Sequence, residues 1–223
     1  MDGRYLRNLG AISQEEQALL GTKTVFVAGC GGLGGHVLDM LLRLGVGNIR
    51  CADGDCFDVT NLNRQLLSGI DTLGRNKALV AAAHAERVNP QVHLRATDCF
   101  ITPGNVSELL SGCDAVIDAL DSVPARRLLK GGADELGIPY VYGAVQGWTA
   151  QAALSLPGDG LLERLYPHNS ARNSPCILSF VPALCAAMQV SLCTRLLCGR
   201  EVESGKLWYM DMSDMDFEEI PLL

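Results

Sequence analysis

Five β-formers in a row, Thr24-Val25-Phe26-Val27-Ala28, lead into a stretch crowded with glycine, and the period of the apolar positions then changes. Apolar residues then recur at helical spacing, and a second short run, Asn48–Ala52, ends on Asp53. The pattern predicts strand, turn, helix, strand. Upstream, Ser13-Gln14-Glu15-Glu16 is a capping box that opens a short helix ending at Gly21. Residues 54–76 carry no periodicity and read as a loop, with one helical turn around Leu62–Leu67. Lys77–Val88 predicts a helix stopped by Asn89-Pro90. Val92–Thr97 predicts a third strand, Pro103–Leu110 its crossover helix with proline in the first turn, and Asp114–Asp118 a buried fourth strand. A helix over Pro124–Leu136 and a fifth strand, Pro139–Tyr142, follow.

The remaining pattern is less regular. Trp148–Leu156 alternates as a strand closed by a PGDG turn, and residues 161–174 are polar and expected to be mobile. Val181–Leu197 is an apolar helix with Gly199 at its end, and Lys206–Asp211 and Met215–Ile220 predict two last strands. Strands alternating with helices imply a Rossmann-like, mostly parallel α/β sheet with right-handed crossovers, extended by antiparallel C-terminal strands. At 223 residues the expectation is one domain: an N-terminal arm and helix (1–21), a nucleotide-binding core (22–143) and a C-terminal extension (144–223).

Composition narrows the function. The chain is 48% hydrophobic with net charge −7 and a pI near 5.0, so it lacks the basic stripe that a nucleic-acid partner requires. The N-terminus is too polar for a signal peptide, and no run is read as approaching the roughly 18 apolar residues of a membrane span, so a cytoplasmic location is expected. The nine cysteines form no C-x-x-C pair and are expected to be reduced, mostly as small core residues.

The chemistry begins at the glycines. Gly29, Gly31 and Gly34 fill the three positions of a dinucleotide-binding fingerprint that has its strand before it, its helix after it and an acid, Asp53, at the next strand end. Free N–H groups at the helix start face an anion there, and Asp53 is placed for a ribose hydroxyl. A glycine turn that merely tightens packing is the alternative. Asn61, Asn63, Arg64 and Gln65 fall within five positions of a loop long enough to be there for binding. Lys77 opens its helix against the dipole, which suggests an anion that needs it, or else a surface lysine with slack. Asp121 stands beyond the fourth strand, either in the site or capping the next helix.

A glycine fingerprint first suggests an NAD-dependent dehydrogenase. No substrate domain fits after residue 150, however, and His36, His84, His93 and His168 show no pairing with an acid that would mark a general base. A P-loop kinase motif is absent as well. Asp53, Arg64, Lys77 and Asp121 are instead an inventory for a nucleoside triphosphate: an acid for ribose, two cations for phosphates, an acid for magnesium.

GCGGLGG at Gly29–Gly35, DGDCFDVTNLNRQ at Asp53–Gln65, Lys77 and DALDS at Asp118–Ser122 closely resemble the ThiF/MoeB/HesA family, bacterial ubiquitin-activating-like adenylyltransferases, over nearly the whole chain. The resemblance implies ATP- and Mg2+-dependent adenylation of the C-terminal Gly-Gly carboxylate of a small ubiquitin-like sulfur carrier, for thiamine or molybdenum-cofactor synthesis. It implies that Gly29, Gly31, Gly32, Gly34, Asp53, Asp55, Asn61, Arg64, Gln65, Lys77 and Asp121 bind the nucleotide, with Arg64, Lys77 and Asp121 catalytic and Asp121 organising magnesium. Arg7, in RYLRN resembling the family's R-Y-x-R-Q, would reach the ATP of a partner subunit, which implies a homodimer. Asn8 stands where the family has Gln. The family's paired C-x-x-C zinc motifs are missing, so no zinc is expected. Cys176 follows the polar segment, beside Arg172, near where relatives place a cysteine that forms a covalent link; a cation nearby could lower its pKa. Adenylation of a peptide or tRNA-borne carboxylate is the alternative, and an NAD-dependent dehydrogenase a more distant one.

Overall fold

The computed structural model describes residues 3–167 and 176–222. In chain order it contains α1 (Gln14–Leu20), β1 (Thr24–Ala28), α2 (Gly32–Leu44), β2 (Asn48–Ala52), α3 (Lys77–Val88), β3 (His93–Thr97), α4 (Val106–Leu110), β4 (Ala115–Asp118) and α5 (Val123–Glu135). There follow β5 (Tyr140–Gln146), β6 (Thr149–Ser155), α6 (Leu161–Leu165), α7 (Phe180–Leu197), β7 (Lys206–Asp211) and β8 (Asp216–Pro221). All eight strands join one sheet in the order β3-β2-β1-β4-β5-β6-β7-β8. The first five are parallel and the last three add antiparallel, in agreement with the expected fold class.

The central parallel strands β1 and β4 bury both faces. In β1, Val25 and Val27 pack with α2, α3 and α7, whereas Phe26 and Ala28 pack with α4, α5 and α6. That is why the strand reads as an unbroken apolar run rather than an alternation. At about 25 cal/mol per Å² such two-sided burial is the main favourable term, and the helices exist chiefly to supply it. Ser13 caps α1 as its sequence predicts: its Oγ accepts the Glu16 N–H at 3.2 Å while the Glu16 carboxylate accepts the Ser13 N–H at 2.7 Å.

Several boundaries differ from the sequence pattern, each for a local reason. The turn expected at Leu62–Leu67 is replaced by 3-10 turns at Val59–Asn61 and Ile70–Thr72, because Asp58 and Asn61 close a cap earlier in the loop. α4 begins at Val106, not Pro103, since Asn105 accepts the Thr102 N–H at 2.8 Å and holds Pro103-Gly104 in a turn. β5 runs past Tyr142 to Gln146, because its hairpin with β6 keeps pairing to Gln146 opposite Thr149; it therefore crosses residue 143. The stretch expected to be polar and mobile begins with α6, whose Leu161 and Leu162 are buried. His168 and Arg172 lie outside the described residues.

Two expectations need correction. α7 is, by length and composition, apolar enough to cross a membrane, with mean hydropathy 1.5 over 18 residues. Half of it is buried inside the protein, where it packs on α2, β5 and β6, as a core helix does. And His84 does meet an acid: its Nε2 lies 2.8 Å from Asp39 Oδ1, between α3 and α2 and away from the cavity described next. Five of the nine cysteines are buried, and all nine are free thiols.

Candidate active site

Where the strand order reverses, at the carboxyl ends of β1, β2 and β4, the chain encloses a cavity of about 340 Å³. That is the place at which open α/β sheets bind ligands. Gly29 makes the turn out of β1 with φ +89°, a left-handed backbone that an L side chain resists. A Cβ on Gly34 would stand 1.9 Å from the Gly29 carbonyl oxygen, so the first turn of α2 can approach β1 this closely only without one. Gly31 and Gly32 line the cavity, and the first α2 amide bonded within this turn is that of Gly35, to Gly31 at 2.9 Å. The amides before it are unsatisfied by the helix and face the cavity end, a ready anion site.

Asp53 sits at the end of β2, where its carboxylate accepts the Cys30 N–H at 2.7 Å and the Asp55 N–H at 2.9 Å. Burial pushes its pKa up, opposed by those two amides and by the Lys77 charge. Lys77 is 8% exposed at the first position of α3, and its ammonium pairs with Asp55 at 3.2 Å. A cation so placed is disfavoured by burial and by the helix dipole. It is therefore no surface lysine with slack: it is held against both penalties, and it lines the cavity.

Arg64 and Gln65 come in from the long loop. The Arg64 stem lies beside Gly32, and its Nη1 donates to the Thr60 carbonyl and to Asn63 Oδ1, both at 2.9 Å. Gln65 is buried next to Gly31, and its Oε1 has no partner. Across the cavity, Asp121 is exposed with no side-chain hydrogen bond among the described residues; the position that caps α5 is Ser122. Asp53, Asp55, Arg64, Gln65, Lys77 and Asp121 thus converge with the glycine turn on one space.

Three expected residues stand elsewhere. Asn61 is buried behind the loop, where its Oδ1 accepts the Asp58 N–H at 3.0 Å; it shapes the loop and does not line the cavity. Arg7 is exposed and does not line the cavity of its own chain. Its arm is fastened at the opposite end of the sheet: Asn89, beyond α3, donates to the Tyr5 hydroxyl at 2.7 Å and accepts from Arg4 at 2.5 Å. Cys176 is exposed in a shallower groove with Thr60, Asn63, Trp148 and Leu178. Arg64 and Ile177 line both that groove and the cavity. Among the described residues, no three of His, Cys, Asp and Glu are grouped to hold a metal ion.

Arg126 is a cavity residue that the sequence pattern did not single out. It is 1% exposed on α5 and donates to Asp118 Oδ2 at 2.7 Å, to the Gly143 carbonyl at 2.7 Å and to the Leu120 carbonyl at 2.5 Å. Its guanidinium lies 5.1 Å from the centre of the Tyr142 ring. Burial, the largest single influence, lowers its pKa, but the Asp118 charge and the neighbouring Tyr142, Tyr140 and Tyr166 together outweigh it and the net direction is up. Asp118 also accepts the Tyr140 hydroxyl and, at 2.9 Å, the Leu120 N–H. The Leu120 peptide is thereby clamped from both sides, one residue before Asp121. A buried stripe of Val123, Arg126, Leu129 and Lys130 at helical spacing was the available sign, since a charge on an apolar face demands a partner. Phe100, on the loop after β3, adds an exposed ring to the cavity wall against Gly54.

A model of the ThiF family matches residues 5–222. The chain is 32% identical over 227 residues to the SAMP-activating enzyme E1 of Haloferax volcanii, covering 98% of this chain and 84% of that one. It is 38% identical over 153 residues to the sulfur carrier protein adenylyltransferase of Thermus thermophilus, covering 68% of this chain and 56% of that protein. Among solved structures, Escherichia coli MccB with AMPCPP and MccA superposes with a TM-score of 0.85 at 20% identity, over 99% of this chain and 71% of that one. At that identity the superposition shows the shared fold.

Proposed function

The chain belongs to the ThiF family, and from that premise we propose that it is an ATP-dependent adenylyltransferase. Its substrate is the C-terminal Gly-Gly carboxylate of a small ubiquitin-like sulfur carrier, of the thiamine or molybdenum-cofactor type. The reading rests on one observation: Arg64, Gln65, Lys77 and Asp121 line the same cavity as the glycine turn. A volume of about 340 Å³ lies in the range of small-ligand sites, and unsatisfied amides together with the Arg64 and Lys77 cations suit a polyphosphate ester.

In the reaction a carrier carboxylate oxygen bonds to the α-phosphorus while the bond from that phosphorus to the bridging oxygen breaks, and pyrophosphate leaves with the electron pair. The attacking carboxylate is already ionised, so no general base is needed. The protein's work is positioning and charge compensation. The α2 amides and Gly31–Gly32 cradle phosphate, Arg64 and Lys77 offset charge that builds on the leaving group, and Asp53 takes the ribose hydroxyls. In the bound complex Lys77 has phosphate beside it as well as Asp55. A single exposed carboxylate suits magnesium, which binds through one or two carboxylates plus substrate phosphates; Asp121 would hold it, and when bound it supplies further neutralisation of phosphate charge.

The described chain acts as one adenylation unit in the cytoplasm, with Arg7 reaching the cavity of a second copy in a homodimer. Its fastening at the far end of its own sheet supports that direction of reach. ATP–pyrophosphate exchange in the presence of a Gly-Gly-ended carrier and Mg2+ tests the proposal. Exchange is expected with the carrier and to fall by about 100-fold or more in Asp121→Ala and Arg64→Ala, whose folds are retained. No exchange with any carrier, or an unchanged rate in both variants, refutes it. Exchange that needs a short peptide instead of a carrier would move the acceptor to the peptide class, as in the MccB complex with MccA.

A further inference from the structure

Asn76 precedes Lys77 and caps α3, its Oδ1 accepting the Leu79 N–H at 3.0 Å. A cap explains only that contact. Its amide nitrogen donates to the Asp53 carbonyl at 2.9 Å, the Asp55 carbonyl at 3.2 Å and the Asp98 carboxylate at 2.7 Å. These three groups are acceptors and the Leu79 amide is a donor, so one orientation of the side-chain amide fits all four, with the two hydrogens of the nitrogen shared among three acceptors. The side chain is 9% exposed, which makes each lost contact costly.

The acceptors belong to two different segments, and each carries part of the cavity wall. Asp53 and Asp55 lie on the turn after β2; Asp98 begins the loop that carries Cys99, Phe100 and Ile101 into the cavity. Asn76 itself begins the helix that carries Lys77. The backbone repeats the fastening: the Lys77 N–H donates to the Asp55 carbonyl at 2.9 Å, and Cys56 and Asn76 form an antiparallel bridge.

The geometry points to Asn76 as a positioning residue for the nucleoside triphosphate: one amide holds the Lys77 cation, the Asp53 acid and the loop after β3 at fixed distances from one another. This rests on the adenylyltransferase reading. Serine caps a helix about as well as asparagine but cannot reach the three acceptors. Aspartate also caps, but sets a carboxylate against Asp98 and two carbonyl oxygens.

The test uses the full chain, with ATP affinity from calorimetry, steady-state exchange at varied ATP, and thermal unfolding as the check on folding. Asn76→Ser is expected to stay folded, to raise both the Kd and the KM for ATP by ~10-fold or more, and to lower kcat as well, because Lys77 also compensates charge on the leaving group. Asn76→Asp is expected to bind more weakly still, and Asn76→Asp with Asp98→Asn, which restores one amide–carboxylate contact with its roles reversed, to recover part of the loss. A folded Asn76→Ser that binds ATP within ~2-fold of the parent overturns the inference. So does a double variant no better than Asn76→Asp. A parent chain with no ATP affinity overturns the adenylyltransferase reading itself, which is a separate and recognisable result.

Discussion

Arg126→Met offers a direct test of how the site is built, because the cost can be worked from the pair it breaks. The Asp118 carboxylate is fully buried. Removing Arg126 leaves it with only the Tyr140 hydroxyl and the Leu120 amide, and deprives the Gly143 and Leu120 carbonyls of a donor. Breaking a buried ion pair from one side costs about 3–5 kcal/mol, because the remaining charge is stranded. For a chain of this size each kcal/mol is worth ~2–4 °C, so the melting temperature should fall by roughly 6–20 °C. Asp118→Asn in the same chain removes the stranded charge and should recover a substantial part of that loss. The assay is urea unfolding of the parent, both single variants and the double, read as a double-mutant cycle. A loss below about 1 kcal/mol in Arg126→Met, or a double variant no more stable than it, would mean that the pair does not carry this loop. The consequence for activity follows from the clamp on Leu120: Arg126→Met at a temperature where it is folded should lose exchange, since Asp121 is the next residue.

Cys176→Ser is expected to leave pyrophosphate exchange within ~2-fold of the parent, because the thiol lies in the groove beside the cavity and not in it; a large loss would place it in the adenylation step, and a reductant-sensitive carrier adduct on a non-reducing gel, absent in the variant, would place it in a later one. Glu16 gives a pH prediction. Its hydrogen bonds from Arg200 and the Ser13 amide lower its pKa from 4.5 to about 2. A depressed carboxylate stabilises the fold fully above pH 4.5, and that contribution is lost as pH falls toward 2. The difference in urea midpoint between the parent and Glu16→Gln should therefore shrink across that window, and a difference that stays constant down to pH 2 would refute the assignment.

Much of the fold was legible before any coordinates. β1, β2, α3 and β7 fall on the residues their patterns predict, since a run of β-forming residues and a helical period with its stop are written in neighbouring residues. Boundaries failed where a partner elsewhere decides them. β5 is longer than its own sequence suggests because β6 keeps pairing with it, and α4 is shorter because Asn105 ties off a turn.

The site divides in the same way. Glycine spacing, the strand-end acids and the cations of the long loop are chemical identities at fixed separations, and the chain's sequence determined by itself which groups a nucleotide could meet. Whether Lys77 is slack or held, whether Asn61 faces the ligand or the loop, and which residues brace the acids depend on contacts between segments far apart in the chain. Asn76 meets Asp98 across 22 positions, and Arg126 meets Gly143 across 17. Only the packed sheet decides these, because burial is what makes an unpaired charge or amide too costly to leave unpaired, and burial is a property of the whole fold.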